Sequence, residues 1–460
     1  MKTHLALRAR RATSMGAMAL AMVVLGACGA QDSLLEQQQP QIIRPSDVQN
    51  ATGALGLYTG ALGRFRTALN GGNNNQEAIW NMEGLMTDEI QSADSFSQRN
   101  DADQRVTQTN DAVLQAAYER AQQSRGYARD AINALQQFAP TETRKIGEMY
   151  MELGFFETTL GQAFCNGVPL GETVNGQAVY TPPLTDSAVF VTSIARFDTA
   201  LTFLGATDAT TLGIKNAVLI AKARAQVDLG QFAAAAATVS GIPTSYVYLI
   251  TYSLTTQSNE WWQMFPSSKR YSVGDSLDPS GTVRILNAIP FFSSNDPRIK
   301  TTPANGVGLD TKTPFTGLAN WGREDPLSLV NGLDARLIEA EADLQAGDYA
   351  GMNTILNTLR ANPPKYGNLT IAAMAPLPVP ATKDAAIDQF FREKAFWQFG
   401  RGERFSDLRR LVRQYGRTQD QVWPSGPFFK NGNYGDHVTF PVPDAERANP
   451  NFTGCLDTKA

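Results

Sequence analysis

Gly230 and Gly347 mark the same place in two similar stretches of this chain. Ile220 to Val239 carries Ala221, Ala223, Ala225 and Val227, then Gly230, Gln231, Phe232 and Ala233. Leu337 to Leu359 carries Ile338, Ala340, Ala342 and Leu344, then Gly347, Asp348, Tyr349 and Ala350. Aligned on the glycines, every pair matches in character. Each stretch reads as a helix, a tight glycine turn and a second helix. The alanines permit close approach of the two helices, and the aromatic after the turn fills the elbow. Such a hairpin cannot bury its faces alone, so hairpins must stack. A chance likeness between two alanine-rich helix pairs is the alternative.

The hairpins resemble those of tetratricopeptide-type proteins, and helical spacing extends well beyond them. Ser46-Asp47 is a plausible N-cap, followed by Val48, Leu55, Tyr58, Leu62, Phe65 and Leu69 at helical intervals. Further helices are expected over Glu77 to Ile90, Val106 to Phe138 and Arg144 to Phe164. Residues 243–330 differ: Pro, Ser, Thr, Asn and Gly are frequent and aromatics are interspersed. They read as irregular loops with a few short strands. The expected fold is mainly α, a helical-hairpin scaffold over 46–242 and 331–415. A loop-rich lobe over 243–330 and a C-terminal tail over 416–460 complete a single domain from 46 to 460.

The N-terminus has the layout of an export signal. Lys2, Arg8, Arg10 and Arg11 precede an apolar run from Met15 to Leu25, too short to span a bilayer comfortably. Leu25-Gly26-Ala27-Cys28 then resembles a lipobox, which makes residues 1–27 a lipoprotein signal and Cys28 the acyl acceptor. An ordinary cleaved signal with an incidental cysteine is the alternative. Residues 28–45, polar and glutamine-rich, read as a flexible tether. No other stretch approaches a spanning length, so the expected membrane attachment is the lipid anchor alone.

Charge and cysteine usage narrow the options. Of 40 Lys/Arg, four lie in the leader, which leaves 36 against 44 Asp/Glu and a net charge of −8. That balance argues against nucleic acid as a partner and against electrostatic docking to anionic lipid. With Cys28 acylated, Cys165 and Cys455 form an even pair in an oxidising compartment. They either bridge, tying the tail to the first third of the chain, or remain separate thiols.

Catalytic signals are sparse. Beyond the leader there is one histidine, His437, and Ser, His and Asp lack a nucleophile-elbow setting. No His/Cys metal cluster and no phosphate-cradling glycine loop is present. The expectation is a non-enzyme with no cofactor, no catalytic residue and no metal site. A glycosidase built on two converging carboxylates is compatible with any sequence and stays open.

The last third carries a specific resemblance. Arg392-Glu393-Lys394-Ala395-Phe396-Trp397 leads into Gly400-Arg401-Gly402-Glu403-Arg404-Phe405-Ser406-Asp407-Leu408-Arg409-Arg410. Phe440-Pro441-Val442-Pro443 and Asn449-Pro450-Asn451-Phe452 follow. Earlier come Leu85-Met86-Thr87-Asp88-Glu89, Asp296-Pro297-Arg298 and the hairpin ending Asn357-Thr358-Leu359-Arg360. In this order, and with the lipobox, they resemble the SusD/RagB family of outer-membrane nutrient-binding lipoproteins. The chain departs from the family pattern in the Phe405-Ser406 pair and in Cys165/Cys455.

The resemblance implies a surface-exposed, lipid-anchored outer-membrane protein. It would capture a glycan or other oligomeric nutrient and pass it to a TonB-dependent, SusC-like transporter. A tetratricopeptide-type lipoprotein scaffold for other envelope proteins is the alternative, and a secreted hydrolase a third. Arg404 and Arg410, each three positions from Asp407, are its nearest helical partners, and the motif is expected to be an ion network locking two helices. For the ligand, sugars offer apolar C–H faces and hydroxyl rims, which suit exposed aromatic platforms beside polar groups. The candidates are Trp261, Trp262, Tyr271, Trp321, Arg323 and Tyr434, with Asn259 and Glu260 beside them. Trp80 and Trp397 fall within helices and are expected in the core.

Overall fold

The computed structural model describes residues 49–72, 77–174, 177–302 and 306–460. The leader, Cys28, the tether and the Ser46-Asp47 cap lie outside the described residues.

Helix α1 (Ala51–Asn70) is capped by Asn50, whose Oδ1 accepts the Gly53 N–H at 2.9 Å. Short α2 (Ile79–Met86) gives way to β1 (Ile90–Ser92), so the helix expected from 77 to 90 is trimmed at both ends. The helix expected from 106 to 138 loses its first six residues, and a separate short helix precedes it. Helix α3 (Ser97–Gln104) ends at Arg105 in the left-handed region (φ 65°). The guanidinium of Arg105 then reaches the carbonyls of His437 and Pro424 at 2.9 and 2.6 Å. These tertiary bonds override local periodicity, and α4 starts only at Ala112, running to Phe138.

Helix α5 (Thr143–Ala163) is the buried axis of the first half. Its contact with α6 (Asp186–Phe203) depends on glycines seven residues apart. A Cβ at Gly147, Gly154 or Gly161 would lie 2.8, 2.8 or 2.9 Å from Leu204, Phe197 or Phe190 respectively. Seven residues are almost two helical turns, so the three glycines make one groove into which those side chains fit. Between the two helices, β2 (Glu172–Val174) and β3 (Gln177–Val179) pair antiparallel.

Two hairpins follow as expected. Helix α7 (Ala209–Asp228) turns through Gly230 (φ 75°) into α8 (Phe232–Val239). Helix α9 (Gly332–Ala346) turns through Gly347 (φ 81°) into α10 (Tyr349–Ala361). Helix α9 packs on α8, so the hairpins stack although a long excursion separates them in sequence. That excursion leaves and returns through one antiparallel ribbon, β4 (Val247–Ile250) with β8 (Leu327–Asn331). Within it, β5 (Tyr271–Val273) pairs with β1, and β6 (Thr301–Thr302) pairs with β7 (Gly317–Leu318). The scaffold closes with α11 (Lys383–Trp397) and α12 (Glu403–Tyr415). Residues 362–382, expected inside the scaffold, are instead an extended proline-rich strap, because Pro363 and Pro364 cannot continue α10.

Cys165 and Cys455 are disulfide-bonded, with Cα atoms 5.9 Å apart. The tail lies along the end of α5: Leu456 N–H donates to Asn166 O at 2.7 Å, and Asn449 Nδ2 to Thr181 O at 3.0 Å. No described helix is long and apolar enough to cross a membrane.

Candidate functional site

The motif residues come together first, in the interior. Helix α12 opens after two left-handed glycines, Gly400 and Gly402 (φ 72° at both). A Cβ at Gly402 would sit 2.3 Å from the Trp80 ring, so only glycine lets the turn pass α2. Arg401, between them, reaches Asp334 at the start of α9 at 2.6 Å. Arg404 reaches back to Asp88, through Nε at 2.8 Å and Nη2 at 3.0 Å. Glu89 accepts the Gly400 N–H at 3.1 Å, and burial pushes its carboxyl up to about 8.

The expectation that Asp407 pairs with both flanking arginines is half right. It meets Arg410 at 2.9 Å, but its other partner is Lys394 of α11 at 2.6 Å. Arg404 has turned to Asp88, because its guanidinium faces α2 and not its own helix. Arg410 continues to Glu341. Arg409 donates to the carbonyls of Gly161, Gln162 and Phe164 at 3.0, 2.6 and 3.1 Å and pairs with Asp186 at 2.8 Å. One side chain thus caps the end of α5 and holds the start of α6. Arg298 bridges Asp296 and Glu393, each at 2.7 Å, and Arg360 meets Glu393 at 2.8 Å. These guanidiniums are almost wholly buried and their charges are answered by protein carboxylates. They join helices, and two of them, Arg298 and Arg401, also border the pocket at Trp321.

The loop aromatics divide into two groups. Trp261 and Tyr271 are each 1% exposed and offer no face to a ligand. The indole N–H of Trp261 donates to Gly400 O at 2.9 Å, and Tyr271 lies in β5 opposite Ser92. Neither belongs in the ligand set expected from sequence: both pin the excursion to the scaffold, as amphipathic rings do. Asn259 and Glu260 are buried as well. Tyr434 is half-buried with its ring edge-on to Phe428 at 5.2 Å. Burial holds its phenol well above the ordinary range.

Trp262 and Trp321 keep partial exposure, and Arg323 is exposed. The Arg323 guanidinium lies 5.3 Å above the Trp262 ring, and its Nε donates to Ser258 Oγ at 3.0 Å. Trp321 stands at a small pocket, a cavity of about 60 Å³, between the β7–β8 loop, the proline-rich strap and the end of α11. Tyr366, Phe396 and Trp397 make its aromatic walls; Asn320, Ser328 and Asn331 bring polar groups. Tyr366 is fixed by two bonds, donating to Thr244 O at 2.6 Å and accepting the Leu333 N–H at 2.8 Å. Sequence reading did not find Tyr366, which lies in a strap without periodicity. The Pro-Pro-x-Tyr-Gly turn at 363–367 was the available signal. It also placed Trp397 in the core, where it is 8% exposed while forming a pocket wall. The pocket combines flat apolar faces with hydrogen-bonding rims, the usual composition of a small-molecule site. Among the described residues no group of three or more His, Cys, Asp or Glu is arranged to hold a metal ion.

No family model matches the sequence, and no curated protein sequence does. Solved structures do. A SusD-like carbohydrate-binding protein from Bacteroides fragilis superposes with a TM-score of 0.65 at 13% identity, over 88% of this chain and 99% of that one. A SusD superfamily protein from Parabacteroides distasonis gives 0.59 at 15% identity, over 88% and 98%. One from Bacteroides vulgatus gives 0.58 at 14%, also over 88% and 98%. At such low identity the likeness speaks for architecture, and it extends across nearly the whole body: the chain has the fold of the SusD superfamily.

Proposed function

We propose that this chain is a surface lipoprotein, anchored through Cys28, that captures an oligosaccharide and passes it to a TonB-dependent outer-membrane transporter. The ligand seat is the pocket at Trp321. The observation that carries this reading is the half-exposed Trp321 ring facing a pocket walled by Tyr366, Phe396 and Trp397. A sugar ring stacked there would bury its C–H face against aromatic carbon, beside a polar rim of Asn320, Ser328 and Asn331 whose side chains already hydrogen-bond within the protein. The buried motif lattice supplies rigidity, and its Arg298 and Arg401 form part of the pocket lining. The signal-like leader and the Leu25-Gly26-Ala27-Cys28 segment support the anchor.

The test is titration calorimetry with neutral and charged oligosaccharides against the mature protein and its Trp321→Ala variant. Binding that weakens about tenfold or more in the variant supports the reading, a size expected for losing one stacked aromatic. A protein that ignores every glycan yet co-purifies with envelope assembly factors would replace it with the scaffold reading. Cys28→Ala should move the protein from the membrane fraction to the soluble one, and a tagged wild type should bring down a TonB-dependent transporter.

A further inference from the structure

Arg323 stands apart from the buried arginines of the motif lattice. Arg298, Arg401, Arg404, Arg409 and Arg410 all meet carboxylates. Arg323 has no ion-pair partner among the described residues, although Glu324 and Asp325 follow it directly. Both acids are occupied elsewhere. Glu324 accepts the Leu254 N–H at 2.9 Å. Asp325 accepts the Gly322 N–H at 2.7 Å and the Asn368 side-chain amide.

The guanidinium is nevertheless held in place. It lies over the Trp262 ring at 5.3 Å, and Nε donates to Ser258 Oγ at 3.0 Å. The backbone beneath it is fixed too, since Arg323 O accepts the Asn259 N–H at 2.8 Å. Stacking and the Nε bond leave Nη1 and Nη2, the two-pronged edge whose spacing matches a carboxylate. Much of the entropy cost of immobilising a long side chain is therefore met before any ligand arrives. Trp321 is two residues away on the same loop, so the two Cα atoms are at most about 7 Å apart. Arg323 does not itself line the pocket, so the ligand that meets both is an oligomer extending beyond the ring seated at Trp321.

We propose that the ligand is an acidic oligosaccharide, one whose uronate carboxylate is received by Arg323 while a sugar face lies against Trp321. This rests on the reading of the Trp321 pocket as the sugar seat and adds the chemical class of the ligand.

The test compares galacturonate, glucuronate and mannuronate oligomers with their fully methyl-esterified forms, which keep the sugar and remove the charge. Neutral glucose oligomers and a sulfated oligomer complete the panel. Titration calorimetry is run on the wild type, Arg323→Gln, Arg323→Lys and Trp321→Ala. The expected result is one uronate series bound about ten- to a hundredfold tighter than its esters, the range for a hydrogen bond to a charged group. Arg323→Gln should bring the acid down to the ester's affinity, and Arg323→Lys should recover part, because it restores charge without the fork. Arg323 is exposed, so its variants keep the wild-type circular dichroism and melting temperature. Neutral sugars that bind through Trp321 but ignore Arg323→Gln would overturn this proposal and leave the carbohydrate reading standing. An Arg323-dependent preference for the sulfated oligomer would overturn the carboxylate assignment. A panel with no binder, acidic or neutral, would overturn both.

Discussion

Asp88 and Arg404 lie 316 residues apart in sequence, yet they share two hydrogen bonds of 2.8 and 3.0 Å in the interior. Asp88 also accepts the Ile289 N–H at 2.6 Å. One carboxylate thus ties together the turn after α2, the loop excursion and α12. Asp88→Ala would leave a buried guanidinium without its counter-charge. The expected loss is about 3–5 kcal/mol, read from urea unfolding monitored by circular dichroism. A variant within 1 kcal/mol of wild type would remove the lattice from its connecting role.

The glycine groove of α5 makes a paired prediction. Gly154→Ala puts a Cβ 2.8 Å from the Phe197 ring and should cost about 1–3 kcal/mol by overpacking. Gly60→Ala, on α1, meets nothing within 4 Å and should gain roughly 0.5–1 kcal/mol from helix propensity. Melting temperatures that move in opposite directions would bear this out.

Glu89 sets a pH dependence. Burial raises its folded carboxyl to about 8, whereas an unfolded glutamate titrates near about 4.3. Between those values the folded state keeps a proton that the unfolded state has released. Glu89 therefore stabilises fully below about pH 4.3, and its contribution declines as pH rises towards 8. Glu89→Gln keeps an acceptor for the Gly400 N–H and should flatten that part of the slope, seen in unfolding free energies at pH 5, 6.5 and 8. An unchanged slope would mean the proton is held elsewhere.

The Cys165–Cys455 bridge closes a loop of 290 residues. Reduction, or Cys165→Ala with Cys455→Ala, should cost about 2–5 kcal/mol and free the tail first. Hydrogen exchange should show early loss of protection at Leu456 and no matching loss in α9.

How much of this was legible depends on range. The hairpin turns at Gly230 and Gly347 were readable because a helix end, a left-handed residue and an aromatic elbow are local signals. The late start of α4 was not, since the bonds that hold Arg105 just before it run to Pro424 and His437. The motif arginines were readable as connectors, but the partner of Arg404 was not: sequence offers Asp407 at three residues, and the fold offers Asp88. The loop aromatics show the same limit. Trp261 and Trp262 are neighbours of identical type, and only the contact with Gly400 decides which is buried. Tyr366 escaped notice because a proline-rich strap has no period to reveal which side chain faces inward.

The most direct test is a crystal structure of the mature protein soaked with the tightest oligosaccharide from the titrations. The account predicts a sugar ring against Trp321, within reach of Tyr366 and Asn320, and an unaltered Asp88–Arg404 lattice. Density for the sugar on another face, with an empty pocket at Trp321, would contradict it.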